Sequence, residues 1–540
     1  MDATPDIDRF ASRRSTVYGT AGLVATSQPL AAEAGIEVLR SGGNAFDAAV
    51  AAAATLNVVE PTSTGLGGDV FALYRTADGT VSGLRSCGGA PEAATIDAVR
   101  ERLPEDPDRP DDELPQTGPF AVTVPGTARG WEAIIDEHGT KPLGELLEPA
   151  IRYAREGYPV SEIVVEQWQG AETLFQTDHA RAAYLVDSNR PPRVGEVVTL
   201  PDLGASLAAV AEEGADVVYE GWIADEIVEE VQSQGGLLSM SDMAAFEPEF
   251  VDPISTTYGG AEVFELPPNN QGQIVLEALN IAEELEAGSH PYDSPERVHY
   301  FAEALKLAYH DGHHYITDPD FEPIEPLHEK AYARERATSI GESARTDVTV
   351  GTPGTGTEDA DTVLLSTADA DGNVVSFINS RFKGFGSGLV AGHTGIALQN
   401  RGWSFSLDPT HPNRLEPGKR PFHTLIPGLL RQGEADWAAF GVMGGHMQPQ
   451  GHLQVLSNIL DYDMPLQASL DAPRWRYRDN GDLTVEPHFD TNLLVKLARR
   501  GHRVRIAPPT EFGGAQIGRF DNGRLAGATE PRKDGTVAVY

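Results

Sequence analysis

The stretch ADTVLLSTADADGNVVSFINS, residues 360–380, decides how the rest of the chain is read. Val363-Leu364-Leu365 and Val374-Val375-Ser376-Phe377-Ile378 are apolar runs on either side of Asp369-Ala370-Asp371-Gly372-Asn373. Gly and Asn tolerate positive φ, so those five residues carry turn chemistry, and strands 362–368 and 374–380 pair as a hairpin. Upstream, residues 351–360 are rich in Gly, Thr and Pro and show no apolar periodicity. Thr362 therefore stands at a seam between a polar segment and a buried strand. A threonine there is an ordinary β-former. It is also what an N-terminal nucleophile requires: cutting the Asp361–Thr362 bond would free an α-amino group to act as base for its own hydroxyl. Both readings stay open on the local sequence.

The chain has 540 residues, 40% of them hydrophobic, enough for a substantial core in one large enzyme-sized domain or two. Lys+Arg number 41 against 81 Asp+Glu, for a formal net charge of -40. Such a surface repels phosphates, which excludes nucleic acid as a partner. The acids are scattered along the whole length, a pattern read as adaptation to a high-salt cytoplasm, where screening keeps their repulsion small. A single cysteine, Cys87, excludes an intrachain disulfide framework and a multi-cysteine metal site. The first fourteen residues carry no apolar h-region, and no run is long and apolar enough to cross a bilayer. The expectation is a cytoplasmic protein without a membrane partner.

Helical spacing runs through LAAEAGIEVLR, residues 30–40, and breaks at Ser41-Gly42-Gly43. Asn44 is placed to cap FDAAVAAAATLNVVE, which Glu60-Pro61 ends. Thr62-Ser63-Thr64-Gly65-Leu66-Gly67-Gly68-Asp69 then enters a strand at 70–74. That loop lacks the lysine and the strand–loop–helix order of a phosphate loop. Residues 121–124 read as a strand, 161–175 as one helical stretch and 452–460 as a helix. The longest predicted helix is Pro295 to Tyr315, with Val298, Phe301, Leu305 and Ala308 on one face. His310, His313 and His314 near its end have metal-like spacing but no HExxH glutamate, so they read as a solvated histidine face, with no metal.

Motifs along nearly the whole chain, in order, resemble the γ-glutamyltranspeptidase family of N-terminal-nucleophile hydrolases. Among them are ATSQPLAAEAGIEVLRSGGNAFDAAVAAA, VVEPTSTGLGGDVFALY, FAEALKLAYHDGHHYITDPDF, DTVLLSTADADGNVVSFINS, PGKRPFHTLIP and FGVMGGHMQPQGHLQVLSNILD. LQNRGWSFSLDPTHPN and MGGHMQPQGH look most like the acylase-like branch. The resemblance implies an α/β (α+β) fold, a four-layer αββα sandwich with two sheets between helical layers. It implies one precursor that cuts itself into 1–361 and 362–540, the two chains sharing one composite domain. It implies no metal or organic cofactor. The substrate would be a small-molecule amide, usually a γ-glutamyl compound such as glutathione, and water or an amine acceptor would resolve the acyl-enzyme.

Carried over residue by residue, Thr362 falls on the family nucleophile and Ser380 on a threonine that hydrogen-bonds it. Gly444 and Gly445 fall on the oxyanion-hole glycines. The substrate clamp departs from the pattern. Cys87 occupies the position of the family's carboxylate-binding arginine. Arg85 lies two residues earlier, on the same strand face about 7 Å away. Arg401 and Ser404 fall on the amino-group ligands, Phe382 on an assisting asparagine, and His423 and Thr424 on two serines. An arginine cannot bind an ammonium, so the machinery is kept while the glutamate clamp is rewritten. Arg401 and Arg85 are then candidate bidentate partners for a carboxylate on another acyl group, as in a dicarboxylic monoamide, or structural ion-pair partners. A non-catalytic scaffold is the remaining alternative.

Overall fold

The hairpin forms where the sequence puts it. Val363–Asp369 pairs antiparallel with Val374–Ser380, in a register that sets Val363 opposite Asn379. The structure, a computed structural model, describes residues 14–345, 362–478 and 480–540. Asp361 and the Gly/Thr-rich run before it lie outside the described residues, as do residues 1–13.

Both hairpin strands are buried throughout, because they lie in the middle of a seven-stranded sheet with layers on both faces. The order in that sheet is Thr536–Val539, Gly22–Thr26, Val363–Asp369, Val374–Ser380, Asp69–Arg75, Val81–Ser86 and Glu249–Val251, every neighbour antiparallel. A second antiparallel sheet of seven strands includes Gly428–Arg431, Asp436–Met443 and Gly514–Asp521. The sheets face each other across Leu23, Phe71, Leu364, Ile378, Leu429 and Met443. Ser376 Oγ donates to the Phe440 carbonyl across that gap at 2.9 Å, which ties the two sheets together at that level.

Helices Pro29–Arg40, Ala45–Val59 and Thr127–His138 cover the outer face of the first sheet. Ala45–Val59 is buried along its whole length, which its alanines allow. It starts in a capping box: the Asn44 side chain accepts from Asp47 N at 3.0 Å, and Asp47 accepts from Asn44 N at 2.8 Å. Helices Gly272–Glu284, Pro295–Tyr315 and Met447–Leu460 cover the second sheet. The result is the four-layer αββα sandwich. Four strands from before Thr362 and three from after it make up the first sheet, so both sides of that position build one sheet.

Local readings differ in three places. Residues 122–124 form no strand: Val124 exchanges bonds with Gly88 N at 3.1 Å and Gly89 O at 3.3 Å, and Pro125, which has no N–H, ends the ladder. The stretch 161–175 splits into Glu162–Trp168 and Ala171–Leu174 at Gly170. The helix expected at 452–460 begins earlier, at Met447.

Candidate active site

Thr362 directly precedes the strand Val363–Asp369 and is buried. Its hydroxyl donates to Ser380 Oγ at 3.2 Å, across the end of the hairpin. Ser380 Oγ in turn accepts from Phe382 N at 2.8 Å, which fixes the serine's orientation. Facing contacts between the sheets set the level of the second element. A side chain on Gly441 would strike Leu364, and Phe440 meets Ser376. Continuing both strands in the same sense brings Thr362 to the end of the sandwich where Gly444 and Gly445 follow Met443.

Those glycines need their freedom. Gly444 has φ +118 and Gly445 φ +56, and a Cβ on Gly444 would lie 3.1 Å from the Gly513 Cα. The Gly444 carbonyl accepts from Met447 N at 2.9 Å. The Gly445 N–H, anti to that carbonyl across a planar trans peptide, therefore points away from the helix start. The Gly445 carbonyl accepts from Gln271 Nε2 at 2.9 Å, and the same nitrogen donates to the Thr424 carbonyl at 2.8 Å.

Gln271 thus couples the glycine turn to the charged floor of the site. Arg401 is fully buried, and its Nη1 donates to Thr424 Oγ1 at 2.9 Å. Its guanidinium carbon lies 4.1 Å from the centroid of the Phe382 ring. Among the described residues, Arg401 Nε and Nη2 have no hydrogen-bond partner. Burial lowers its pKa to about 10, with Asp69 opposing.

Asp69 is the hub beneath. Its Oδ1 accepts from Gly126 N and Gln399 Nε2, each at 3.1 Å, and its Oδ2 meets His423 Nε2 at 3.0 Å. His423 Nδ1 accepts from Leu425 N at 3.2 Å, so the imidazole proton sits on Nε2 and points at Asp69. Burial, helped by the charges of Arg401 and Arg85, holds His423 neutral, well below the ordinary histidine range. Burial pushes the Asp69 carboxyl up to about 7, while Arg401 and the hydrogen bonds from Gln399 and Gly126 pull it down.

The structure therefore brings together Thr362, Ser380, Gly444, Gly445, Arg401, His423 and Thr424. Ser404 lines the adjoining pocket with Phe382 and Trp403. Arg85 is placed otherwise. It pairs in register with Phe71, and its guanidinium is taken up by Glu249 and the Pro268 carbonyl. Cys87, two residues on, is buried with Sγ 4.0 Å from Asn269 Oδ1, and burial raises its thiol to about 12, outside the range of a reactive cysteine. The expected solvated histidine face holds at His314, which is exposed, and is corrected at His313. His313 Nε2 is buried, and His313 packs against Phe422 and His446 in the pocket wall, because the second layer closes over that end of the helix.

Asp69, Gln271 and Gln399 were not read as site residues from the sequence. The one available signal was the glycine loop before Asp69. Gly67 and Gly68 are demanded by close backbone approach, since a Cβ would lie 2.3 Å from the Ala397 carbonyl and 2.4 Å from the Ser380 carbonyl. The loop is a packing surface for the hairpin that Thr362 opens.

Residues 31–540 match the family model described as gamma-glutamyltranspeptidase. The chain is 37% identical over 534 residues to the glutathione hydrolase-like YwrD proenzyme of Bacillus subtilis (strain 168), covering 97% of this chain and 99% of that one. It is 33% identical over 546 residues to the acylase ACY 1 proenzyme of Pseudomonas sp. (strain SE83), covering 99% and 96%. A crystal structure of cephalosporin acylase from Bacillus halodurans superposes with a TM-score of 0.90 at 44% identity, over 98% of each chain.

Proposed function

The chain belongs to the γ-glutamyltranspeptidase family, and from that premise we propose that it is a self-cleaving amidase or acyltransferase whose nucleophile is Thr362. The observation that carries this reading is the 3.2 Å hydrogen bond between Thr362 Oγ1 and Ser380 Oγ, at the sandwich end that also holds the Gly444–Gly445 turn. Cleavage after Asp361 gives chains 1–361 and 362–540. The freed α-amine of Thr362 takes the proton as its hydroxyl attacks an amide carbonyl. N–H groups of Gly444 and Gly445 receive the developing oxyanion. The amine leaves with that proton, and water or an amine acceptor then releases the acyl group. None of these steps calls on a metal or an organic cofactor.

The acyl group is the less constrained part. Arg401 beneath the site disfavours the ammonium of a γ-glutamyl group, and Arg85 is held by Glu249. Both features favour an acylase that takes a different acyl group over a glutathione hydrolase. Acid surplus supports a high-salt, cytoplasmic setting without nucleic acid, and no helix among the described residues is long and apolar enough to cross a membrane.

Two measurements test the reading. Purified protein incubated at high salt is expected to yield a smaller fragment whose N-terminal sequence is Thr-Val-Leu-Leu. A chain that stays whole, or a fragment that begins elsewhere, sinks it. Gly444→Ala adds a Cβ against Gly513 and forces an L side chain to φ +118. Its kcat is expected to fall about 10²–10³-fold with KM nearly unchanged, the pattern of lost transition-state stabilisation.

A further inference from the structure

Among the described residues, six non-glycine positions have positive φ, and Phe382, at +81, is the one that is buried. Holding an L residue there costs on the order of 1 kcal/mol or more, so the surroundings must enforce it. Its N–H is fixed by Ser380 Oγ at 2.8 Å, and its ring is fixed on two sides. On one side lies the Arg401 guanidinium at 4.1 Å, with Nε and Nη2 unpartnered among the described residues. On the other side the ring forms part of a pocket wall with Trp403, Phe405, Phe422, His313 and His446.

The two sides differ in chemistry. Among the described residues no arginine or lysine lines the pocket, and Glu113 does. Lys383, the cation next in sequence, has its ammonium 4.3 Å from the Trp403 ring centroid. His313 is pushed down to about 4 by burial and by the charges of His411 and His310, and His446 lies well below the histidine range for the same first reason. Both are uncharged near neutral pH. His313 Nε2 and His446 Nδ1 are buried without a partner among the described residues, so each can bond a ring heteroatom or hydroxyl. A carboxylate entering this pocket would meet Glu113 in the lining, while the cations nearby, Lys383 against the Trp403 ring and Arg401 behind Phe382, lie outside that lining. The cation that could bind it sits behind Phe382. The leaving amine needs an open path for exchange with water, whereas the acyl group stays attached to Thr362, so the walled pocket belongs to the acyl group.

We propose that Phe382 sets the acyl specificity: its ring, closed over Arg401, makes the pocket one for acyl groups ending in a flat, uncharged aromatic or heteroaromatic ring, and excludes carboxylate-ended ones. This rests on the acyl-enzyme reading above and specifies the substrate class of the same site.

Phe382→Gly tests it, because glycine accepts φ +81 and keeps the N–H that bonds Ser380. Wild type and F382G are assayed on the p-nitroanilides of phenylacetic and glutaric acid. Their binding of phenylacetate and glutarate is read in parallel by thermal shift. Wild type is expected to favour phenylacetyl over glutaryl by about tenfold or more in kcat/KM. F382G is expected to shift that ratio about 100-fold toward glutaryl, the size of one exposed charge-assisted contact. The thermal shifts should follow the same order. Self-cleavage of F382G into two chains reports an intact fold and nucleophile. A wild type that prefers glutaryl, or an F382G that self-cleaves with an unchanged ratio, overturns the proposal and leaves the acyl-enzyme reading standing. Absence of both cleavage and turnover in wild type sinks that reading instead, and the two acids' binding then decides the pocket's chemistry by itself.

Discussion

Thr362→Ala is expected to leave a single chain of 57.9 kDa with no measurable amidase activity. One hydroxyl is asked to do two things in succession: open the bond after Asp361, and then form the acyl-enzyme. Its loss removes both, and no neighbour substitutes. Ser380 Oγ is committed as acceptor from Thr362 and from Phe382 N, and it lies within a continuous strand with no free amine to act as its base. Removing a nucleophile that works as a unit with its base lowers turnover by about 10⁴-fold or more. Thr362→Ser keeps the oxygen and the Ser380 contact, and should still give two chains, more slowly. The gel reads cleavage and an anilide assay reads turnover. A T362A preparation that separated into fragments 1–361 and 362–540 would show that another group cuts the chain.

What could be read from sequence follows the range of the interactions. The hairpin at 362–380, the Asn44 cap and the 21-residue helix Pro295–Tyr315 are set by neighbours a few residues apart, so pattern and turn chemistry report them directly. The family motifs add the sandwich, and point to Thr362 as the proposed nucleophile. The charged floor of the site is different in kind. Asp69, Gly126, the Gln399–Arg401 stretch and His423 are four segments far apart in sequence that meet only after both sheets form. No spacing announces such a cluster, and a Gly-rich loop ending in Asp69 looks like an ordinary connection until its backbone is seen against Ser380 and Ala397. Arg85 shows the converse limit. Strand alternation does put it on the same face as Cys87, but the register that sets Arg85 opposite Glu249 is a tertiary fact, and it decides where the guanidinium goes.

Asp69→Asn is expected to be the most destabilising single change at this site, and its size should depend on pH. Three donors converge on the carboxylate, from Gly126, Gln399 and His423, with two of them on one oxygen. An asparagine offers one oxygen and a donating amide, so at least one buried donor loses its acceptor. Above pH 7 Arg401 also loses the counter-charge that partly offsets the burial of the Asp69 carboxylate. The folded-state pKa of Asp69 is about 7, raised by burial from 3.8. The folded protein therefore holds a proton that the unfolded chain has released between roughly pH 4 and 7, and this group makes wild-type stability decline as pH rises through that window, levelling above it. At pH 5 the folded wild type holds a proton on Asp69 that the unfolded chain has largely released, so the D69N penalty is largest there, while at pH 8 wild type carries the cost of a buried carboxylate that D69N does not, and the penalty is smaller. Denaturant midpoints should show a gap between wild type and D69N that narrows from pH 5 to pH 8. Replacing Arg401 with methionine in the D69N background removes the stranded charge and should recover much of the loss at pH 8. A gap that stays constant with pH would mean that the Asp69 carboxyl is not raised on folding, and a double variant no more stable than D69N would mean that Asp69 serves as a hydrogen-bond acceptor alone and not as the charge partner of Arg401.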